Sequence, residues 1–523
     1  MLLDKRALVA AVCALGLALG ACSGGDSDSG SSTKTTSGAS GDPVEGGTLR
    51  AVMLSEPRNL DPAVMQNNDR GQGLVGNALF GTLMTSDPET GAVDYKLAED
   101  FATQDGGKTF QLKLRAGLKF TDGTPFDAEA VKFNWERLTD PTLGSNSSQD
   151  ASSIEKTDVV DDTTLKVTLV RPTPRFSSQV ILSSMNWIAS PEALAGGAQK
   201  FDAAPVGAGP FTLKKWTRGG RIELVKNKSY VDAPRPYLDA ITVTSVADEA
   251  QRLSTLSSGG AEVTPLTLWG NVNKAKEAGL VVDTMPVGGG QMLGYNMRKA
   301  PFDDVRAREA VSLALDLDAL DLAINEGHGE GAEKMFPKTS PLYNDVSLHS
   351  FDAEKAQKLF DELKAEGKPV SFTFTTFQGN EDLGQAVQAQ LGAFKNVTVE
   401  VDVADWAETG RILGEHNFQM TIAAVNFLDP DPALCRFACS QSPRNSMGFQ
   451  DPELDKALQT GSTETSDEAR QAAYQTATER IAEIVPGVFY QRQSFTFATA
   501  KNVGGVQLYG GGSLLADQLW LAK

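Results

Sequence analysis

Several segments in the first half of the chain alternate apolar and polar residues, and this alternation has the period of a β-strand. In "FQLKLRAGLKF" the apolar positions Phe110, Leu112 and Leu114 fall on one face, so the segment predicts a half-buried strand. The nearby segment "VVDDTTLKVTL" shows the same alternation on either side of a polar pair. It predicts a β-hairpin with its turn at Asp161–Asp162.

Other segments repeat their apolar residues at helical spacing. "DAEAVKFNWERL" places Val131, Trp135 and Leu138 on one side of a helix. "FDAEKAQKLFDELKAEGKP" predicts a helix with both ends marked, because Asp352 can accept hydrogen bonds from the first turn and Gly367 can end the last one.

The second half of the chain combines the two patterns in one unit. A strand over 370–376 precedes a helical stretch over 381–395 and a second strand over 397–403. Such a β-α-β unit predicts a parallel or mixed sheet. Further on, Thr465-x-x-Glu468 has the spacing of a capping box and predicts the start of a long helix that ends at Pro486.

Length, composition and charge narrow the class of protein. A chain of 523 residues is too long for one hydrophobic core, so two or three domains are expected. Its 41% apolar and 22% charged residues are ordinary for a globular protein. The net charge of −19 argues against nucleic acid as a partner, because the chain lacks the basic excess needed to displace phosphate counterions.

The N-terminus predicts export. Lys5 and Arg6 precede an apolar run from Ala7 to Ala21, which is too short to span a bilayer comfortably and fits a signal peptide over residues 1–21. "LGAC", ending at Cys22, resembles the lipobox of bacterial lipoproteins, in which the cysteine is lipidated and becomes the mature N-terminus. Residues 22–46 are mostly Ser, Gly, Thr and Asp and predict a flexible tether outside the cytoplasmic membrane.

The cysteines then fall into two groups. Cys13 leaves with the signal peptide and Cys22 carries the lipid, so Cys435 and Cys439 remain in the folded body. Outside the cytoplasm, two cysteines so close in sequence are expected to form a disulfide.

Motifs for catalysis or cofactor binding are weak. The chain has no Gly-x-Ser-x-Gly elbow and no His-x-x-x-His or Cys-x-x-Cys spacing, and Gly207-x-Gly209 leads into a strand rather than a phosphate-binding helix. We therefore expect no catalytic residue, no metal site and no cofactor. Because His328, His349 and His416 could still assemble a triad in space, an extracellular hydrolase is the enzyme alternative, and a purely structural surface lipoprotein is a third.

Five longer segments, in this order, carry a family resemblance: "EPRNLDPA", "LAEDFATQDGGKTFQLKLRAGLKFTDGTPFDAEAVKFNWERL", "PVGAGPFTLKKW", "LGYNMRKAPFDDVRAREAVSLALD" and "DPELDKAL". Together they closely resemble the extracellular solute-binding proteins of family 5, the oligopeptide- and dipeptide-binding lipoproteins of peptide-type ABC importers. The resemblance covers about residues 46–523.

The resemblance implies an α/β fold of the periplasmic-binding-protein type, cluster C. Two mixed α/β lobes are joined by a two-strand hinge, and an extra subdomain is inserted in lobe I. Mapped onto this sequence, lobe I comprises 47–85, 205–287 and 491–523, the inserted subdomain is 86–204, and lobe II is 288–490.

The resemblance also implies a function without bond-making residues. Such a protein is a monomer on the extracytoplasmic face of the cell membrane, held there by its lipid, and it closes around a peptide or another small polar solute and delivers it to an ABC permease. A metal chelate or an oligosaccharide is the alternative ligand.

Candidate ligand contacts follow from the same resemblance, in the loop "NFLDPDPALCRFAC". Matched to the family's D-x-x-D-P-D pattern, the loop has Asn426 where an aspartate usually binds the peptide ammonium group. A neutral amide accepts a hydrogen bond but does not offset the charge. Asp429 is the substitute candidate, Arg436 a candidate for a ligand carboxylate, and Phe427 and Gln291 complete the set.

Three tryptophans are further candidates, because a tryptophan buries a large area with few rotatable bonds. Trp187 and Trp269 are expected near the cleft, and Trp406 follows a strand end, where ligand-facing groups are common in α/β sheets. Core packing is the alternative role for each of them.

Overall fold

The structure is a computed structural model that describes residues 38–39, 41–70 and 72–523, apart from the side chain at position 407. The predicted signal peptide, the predicted lipidation site Cys22 and most of the predicted tether lie outside these residues. Within them, no helix is both long enough and apolar enough to cross a bilayer.

The strands, numbered in chain order, are β1 (Thr48–Met53), β2 (Met84–Ser86), β3 (Val93–Tyr95), β4 (Ala98–Thr103), β5 (Thr109–Leu114), β6 (Ile154–Asp161), β7 (Thr164–Leu169), β8 (Phe211–Trp216), β9 (Arg221–Lys226), β10 (Ala240–Ser245), β11 (Val263–Leu266), β12 (Val281–Met285), β13 (Gly288–Tyr295), β14 (Val370–Phe377), β15 (Val397–Ala404), β16 (Met420–Phe427), β17 (Gly487–Gln491), β18 (Phe495–Thr499), β19 (Val503–Gly504), β20 (Leu508–Tyr509), β21 (Ser513–Leu514) and β22 (Trp520–Leu521).

The helices are α1 (Gln72–Phe80), α2 (Ala128–Arg137), α3 (Ser148–Ala151), α4 (Phe176–Leu182), α5 (Pro191–Ala195), α6 (Ala198–Ala203), α7 (Glu249–Ser257), α8 (Trp269–Glu277), α9 (Val305–Leu313), α10 (Leu317–Asn325), α11 (Ala353–Ala365), α12 (Glu381–Leu391), α13 (Thr409–Gly414), α14 (Ala433–Ala438), α15 (Pro452–Thr463) and α16 (Asp467–Ile484). Short 3-10 helices occur at Pro62–Val64, Ser184–Asn186 and Trp406–Glu408.

Lobe I is built on a seven-stranded mixed sheet of order β12-β18-β11-β1-β10-β9-β8. β1 runs parallel to both β10 and β11, whereas the outer pairs are antiparallel. Its core combines residues from distant parts of the chain, from Leu49 to Leu519. Lobe I is therefore assembled from discontinuous segments.

The inserted subdomain contains an antiparallel sheet of order β4-β5-β7-β6 with α2 packed beside it. The predicted alternation is confirmed, since Phe110, Leu112 and Leu114 are all buried. Asp127 caps α2, and Val131 and Trp135 point into a core of their own.

Lobe II is built on a five-stranded sheet of order β15-β14-β16-β13-β17. β14 pairs in parallel with β15, with α12 between them in sequence, so the predicted β-α-β unit is confirmed. Two local predictions were wrong by a residue. The turn between β6 and β7 lies at Asp162 and Thr163, because Asp161 still pairs with Thr164. Ser466, not Thr465, caps α16, because the Ser466 hydroxyl accepts from the Ala469 amide.

Gly207 and Gly209 lie shortly before β8, where the chain packs against α1. Both glycines have ordinary negative φ. A Cβ atom at either position would lie 2.3 Å from a backbone carbonyl oxygen of α1, that of Leu79 or of Ala78. The glycines therefore allow close backbone packing.

The two large sheets are connected by two crossings of the chain. β12 in lobe I leads directly to β13 in lobe II, and β17 in lobe II leads back to β18 in lobe I. Arg492, in the return crossing, donates to the carbonyl oxygens of Val287 and Gly289 in the outgoing one, at 3.0 and 3.1 Å. These two linked crossings form the two-strand hinge that the resemblance implied.

Candidate ligand-binding site

A cavity of about 450 Å³ lies between the inserted subdomain and lobe II. One wall comes from the β2–β3 turn and from α4; the other comes from the segment 337–342, the residues after β16 and the start of α16. Both walls carry charged side chains, which are Glu89, Arg175, Asp429, Asp467 and Arg470. A solute held here would touch both bodies at once.

Asn426 sits near the end of β16, opposite Gly289 of β13. Its side-chain oxygen Oδ1 is buried and accepts no hydrogen bond from any part of the chain that the structure describes. The residue lines a second cavity of about 530 Å³, together with Arg436 and Phe437 of α14. A buried acceptor without a donor is costly, so the geometry suits a donor supplied by a ligand.

Asp429 lies in the wall of the 450 Å³ cavity, but its carboxylate is already engaged. Both of its oxygens accept from Arg470 Nη2 at 2.8 Å. The Arg470 side chain is only 3% exposed and has Tyr474 beside it. Asp429 was expected to replace the ammonium-binding aspartate; in this structure its carboxylate holds a buried guanidinium in place, and a ligand contact stays a prediction.

Asp431, two residues further on, is buried without such a cation. Burial, followed by the charge of Asp429, raises the pKa of Asp431 to about 6, while the arginines at 171, 470 and 436 lower it. The loop therefore contains one aspartate that is stabilised by an ion pair and one that is not.

Arg436 also has a protein partner. Its Nη2 atom lies 2.9 Å from the Asp150 carboxylate on α3 of the inserted subdomain. A second pair, Arg175 with Asp467 at 2.9 Å, joins the same two bodies. Arg436 was expected to meet a ligand carboxylate; in this structure it connects the two sides of the cleft.

Cys435 and Cys439 are joined by a disulfide at the ends of one helical turn. The bond encloses Arg436 within α14. Both cysteines line a third cavity, of about 410 Å³, between α14 and the inserted subdomain. The bridge thus stiffens the segment that presents Arg436 to Asp150.

Two aromatic candidates are core residues. Trp187 is 1% exposed, and its Nε1 atom donates to Asn77 Oδ1 at 2.9 Å. Phe427 is buried edge-to-face against Phe336. The structure thus places both rings in packed interiors, and the expectation that they face a ligand is corrected: neighbouring apolar side chains already cover them.

Trp269 and Gln291 belong to the hinge. Trp269 Nε1 donates to the carbonyl oxygen of Arg492 at 2.9 Å, so α8 is fastened to the return crossing. Gln291 Oε1 accepts from the Tyr490 hydroxyl at 2.6 Å, and its amide donates to Gln493. Both side chains are hydrogen-bonded within the protein and fix the positions of the two crossings.

Trp406 is 52% exposed at the edge of the lobe II sheet. Its ring stacks on Phe377 at 4.6 Å, and its Nε1 donates to the Gln378 carbonyl oxygen. It remains a surface aromatic after β15, at the edge of the sheet opposite β17.

The sequence interpretation missed the loop 65–70, "MQNNDR", which precedes α1. This loop lines a fourth cavity, of about 390 Å³, with α3 and Ser183–Ser184 opposite. Asp69 is 2% exposed there. A run of amide and acid side chains shortly before the mostly apolar segment of α1 was the available signal.

The histidines lie in separate elements. His349 contacts Ser312 and the Leu315 carbonyl oxygen, and burial lowers its pKa. His328 contacts Asn273. The described residues contain no group of three side chains placed to hold a metal ion.

Comparison with known proteins places this geometry in a family. The sequence model of "Bacterial extracellular solute-binding proteins, family 5 Middle" matches residues 92–444. The "Glutathione-binding protein GsiB" of Escherichia coli (strain K12) is 30% identical over 348 residues, which cover 65% of this chain and 67% of that protein. The "Probable di/tripeptide-binding protein 5" of Pseudomonas aeruginosa (strain UCBPP-PA14) is 27% identical over 477 residues, covering 84% and 89%.

A solved structure shows the same fold. The periplasmic binding protein DppA from Helicobacter pylori, in complex with the peptide STSA, superposes with a TM-score of 0.75 at 23% identity, over 92% of this chain and 99% of that one. The predicted two-lobe α/β fold is confirmed. The chain belongs to the bacterial extracellular solute-binding proteins of family 5, which serve peptide ABC importers.

Proposed function

We propose that the chain is the lipid-anchored solute-binding component of an ABC importer. It captures a peptide, or a related small polar solute, between two closing lobes and delivers it to a membrane permease. Relatives named for glutathione and for di- and tripeptides support a short peptide as the solute. We propose the domain boundaries expected from the sequence: 47–85, 205–287 and 491–523 for lobe I, 86–204 for the insert, and 288–490 for lobe II.

The observation that carries the proposal is the 450 Å³ cavity with walls from both the inserted subdomain and lobe II. A ligand stabilises a closed state only to the extent that it binds that state more tightly than the open one. Contacts to two bodies provide this difference, because opening breaks half of them. No bond needs to form or break in the solute.

The ion pairs across the cleft contribute to the same equilibrium. Arg436 with Asp150 and Arg175 with Asp467 connect the bodies without any ligand. Both pairs are partly exposed, and such pairs contribute about 0–1 kcal/mol each. They are too weak to hold the cleft shut, so the ligand decides the state.

Asn426 is the polar contact we assign to the solute in lobe II. Its buried Oδ1 atom accepts no hydrogen bond from the described residues and lines the 530 Å³ cavity. An amide or ammonium N–H of the ligand would provide the donor. Arg436, in the same cavity, is available to a ligand carboxylate once the cleft opens and its pair with Asp150 breaks.

The anchor follows from the N-terminal sequence alone. We expect residues 1–21 to be cleaved, Cys22 to carry the lipid, and the tether 22–46 to hold the folded body on the extracytoplasmic side. Cys22→Ser should release the protein from the membrane fraction into the soluble one. A variant that stays with the membrane would contradict the anchor.

Binding is tested by calorimetry on the full chain in detergent micelles. Glutathione and a set of di- and tripeptides are titrated, and small-angle scattering records the radius of gyration with and without each solute. We expect saturable binding of at least one peptide, compaction on binding, a monomeric mass throughout and unchanged peptide afterwards. Peptide hydrolysis, or the absence of both heat and compaction, would overturn the proposal.

A second candidate solute is favoured by one residue. Asn426 is neutral where relatives of the peptide-binding type are expected to have an aspartate. A ligand without an ammonium group, such as a metal chelate or an oligosaccharide, would make no ion pair at this position and so loses no affinity from the missing charge. Native mass spectrometry of the purified protein distinguishes the candidates by the mass of any ligand it retains.

A further inference from the structure

The cavity in front of α1 contains a carboxylate with no visible partner. Asp69 lines this 390 Å³ cavity and is 2% exposed. Its backbone amide donates to the Gly511 carbonyl oxygen, which fixes the residue in place. No hydrogen bond or ion pair joins its carboxylate to another residue in the described part of the chain.

A buried carboxylate with no hydrogen-bond or ion-pair partner costs folding free energy. Burial raises the pKa of Asp69 to about 6, although Arg70 and Arg252 favour its charged form. At neutral pH the carboxylate is therefore mostly ionised in a poorly solvated place. A buried charge without a partner destabilises a fold, so its presence at a cavity wall points to a cation that arrives from outside.

The other carboxylates around the cleft are differently placed. Asp429 is held by Arg470, Asp150 by Arg436 and Asp467 by Arg175. Glu89 is exposed to solvent, which screens its charge. Of the carboxylates described in these cavity walls, only that of Asp69 is both buried and unpaired.

The position of Asp69 relative to Asn426 is informative. Asp150 lines the Asp69 cavity, and its partner Arg436 lines the Asn426 cavity. The two cavities therefore lie on either side of one ion pair across the cleft. A single extended ligand that crosses this boundary would reach both.

We propose that the cavity lined by Asp69 is a subsite of lobe I that binds the primary ammonium group of the solute, with the Asp69 carboxylate as its counter-charge. This assignment rests on the proposed function and names the end of the solute that lobe I holds. Lobe II then needs only a neutral acceptor, which is Asn426. The amides of Asn68 and Asn146 line the same subsite and provide further hydrogen-bonding groups.

The test compares Asp69→Asn, which keeps the size and removes the charge, with Asp382→Asn, which makes the same change at an exposed position at the start of α12, outside all four cavities. The full chain in detergent micelles is titrated by calorimetry at pH 7.5. The probes are glutathione and trialanine, each also as its N-acetyl form, which lacks the ammonium group. Thermal unfolding of each variant without solute is recorded beside the titrations.

We expect the wild-type protein to bind at least one free-amine probe about 10- to 100-fold more tightly than its N-acetyl form, the range given by a charge-assisted hydrogen bond. Asp69→Asn should remove most of this preference, whereas Asp382→Asn should keep it. The unfolding midpoint of Asp69→Asn should rise, because the buried unpaired charge is gone; a merely structural aspartate would give a lower midpoint.

The outcomes separate the two proposals. If the wild-type protein binds a probe but Asp69→Asn retains the preference for the free amine, or if no such preference exists, the subsite is refuted and the binding function stands. If no peptide of the full set used to test the binding function binds the wild-type protein, the peptide function is refuted and the subsite with it.

Discussion

Asp429 and Asp431 are two aspartates in one loop for which the structure predicts opposite effects of the same substitution. Asp429 accepts two hydrogen bonds from Arg470 at 2.8 Å. Asp431 is buried beside it and receives no hydrogen bond to its carboxylate from the described residues. Replacing each in turn by asparagine changes one charge and almost no volume.

Asp429→Asn should destabilise lobe II. The Arg470 side chain is 3% exposed and would keep only its hydrogen bond to the Gly461 carbonyl oxygen at full strength. Removing one partner of a buried ion pair costs about 3–5 kcal/mol, because the remaining charge is left uncompensated. We expect the lower end of this range, since the charge of Asp431 remains close to Arg470.

Asp431→Asn should stabilise the protein at pH 7.5. The pKa of Asp431 is about 6 in the folded state, against about 3.9 in an unfolded chain. Between pH 4 and 6 the folded state therefore binds more protons than the unfolded state, so stability is lost as the pH rises through this window. Two pKa units correspond to about 3 kcal/mol, and we expect a gain of about 1–3 kcal/mol.

Urea unfolding followed by circular dichroism measures both effects, with the wild-type protein at pH 7.5 and pH 5.0 as reference. The gain from Asp431→Asn should shrink at pH 5.0, where Asp431 is mostly protonated. A loss of stability on Asp431→Asn at pH 7.5, or a change below 1 kcal/mol on Asp429→Asn, would refute the assignment of the ion pair to one aspartate only.

Three further predictions concern the cleft. Asn426→Ala should weaken solute binding by about 1–3 kcal/mol in calorimetry without lowering the unfolding midpoint, and unchanged affinity would remove the residue from the site. A double-mutant cycle of Arg436→Gln and Asp150→Asn should give a coupling of about 0.5–1 kcal/mol in solute affinity; a coupling of zero would show that the pair does not favour closure. Replacing Cys435 and Cys439 by serine should lower stability by at most about 2 kcal/mol, since the loop they close is short, and intact-mass analysis with reductant checks that the wild-type bridge is present.

Much of the fold follows from the sequence because its signals are local. The alternation around Phe110, the helical spacing around Trp135 and the aspartate before α11 each depend on residues within a few positions. The β14-α12-β15 unit is likewise contiguous. Where a local signal was misplaced, as at Thr465, the neighbouring Ser466 could provide the same cap, and only the backbone geometry decided between them.

The roles of the candidate site residues could not be predicted as well from the sequence, because they depend on partners distant in sequence. Asp429 is engaged by a residue 41 positions away, and Arg436 by one 286 positions away. No periodicity marks such pairs. Trp187 shows the same limit: a tryptophan suits a core and a binding site equally, and only its packing beneath α1 and its bond to Asn77 decide that it is core.

The sequence by itself determined the order of the elements, the family and the loop that carries Asn426. Only the tertiary structure decided which charges are paired. Asp429 pairs with Arg470 and Arg436 pairs with Asp150, whereas Asp69 is buried at a cavity wall with no ion-pair partner among the described residues. The physical reason is that secondary structure is set by neighbours along the chain. The free energy of a charge is set by its surroundings in space, which come here from segments hundreds of residues apart.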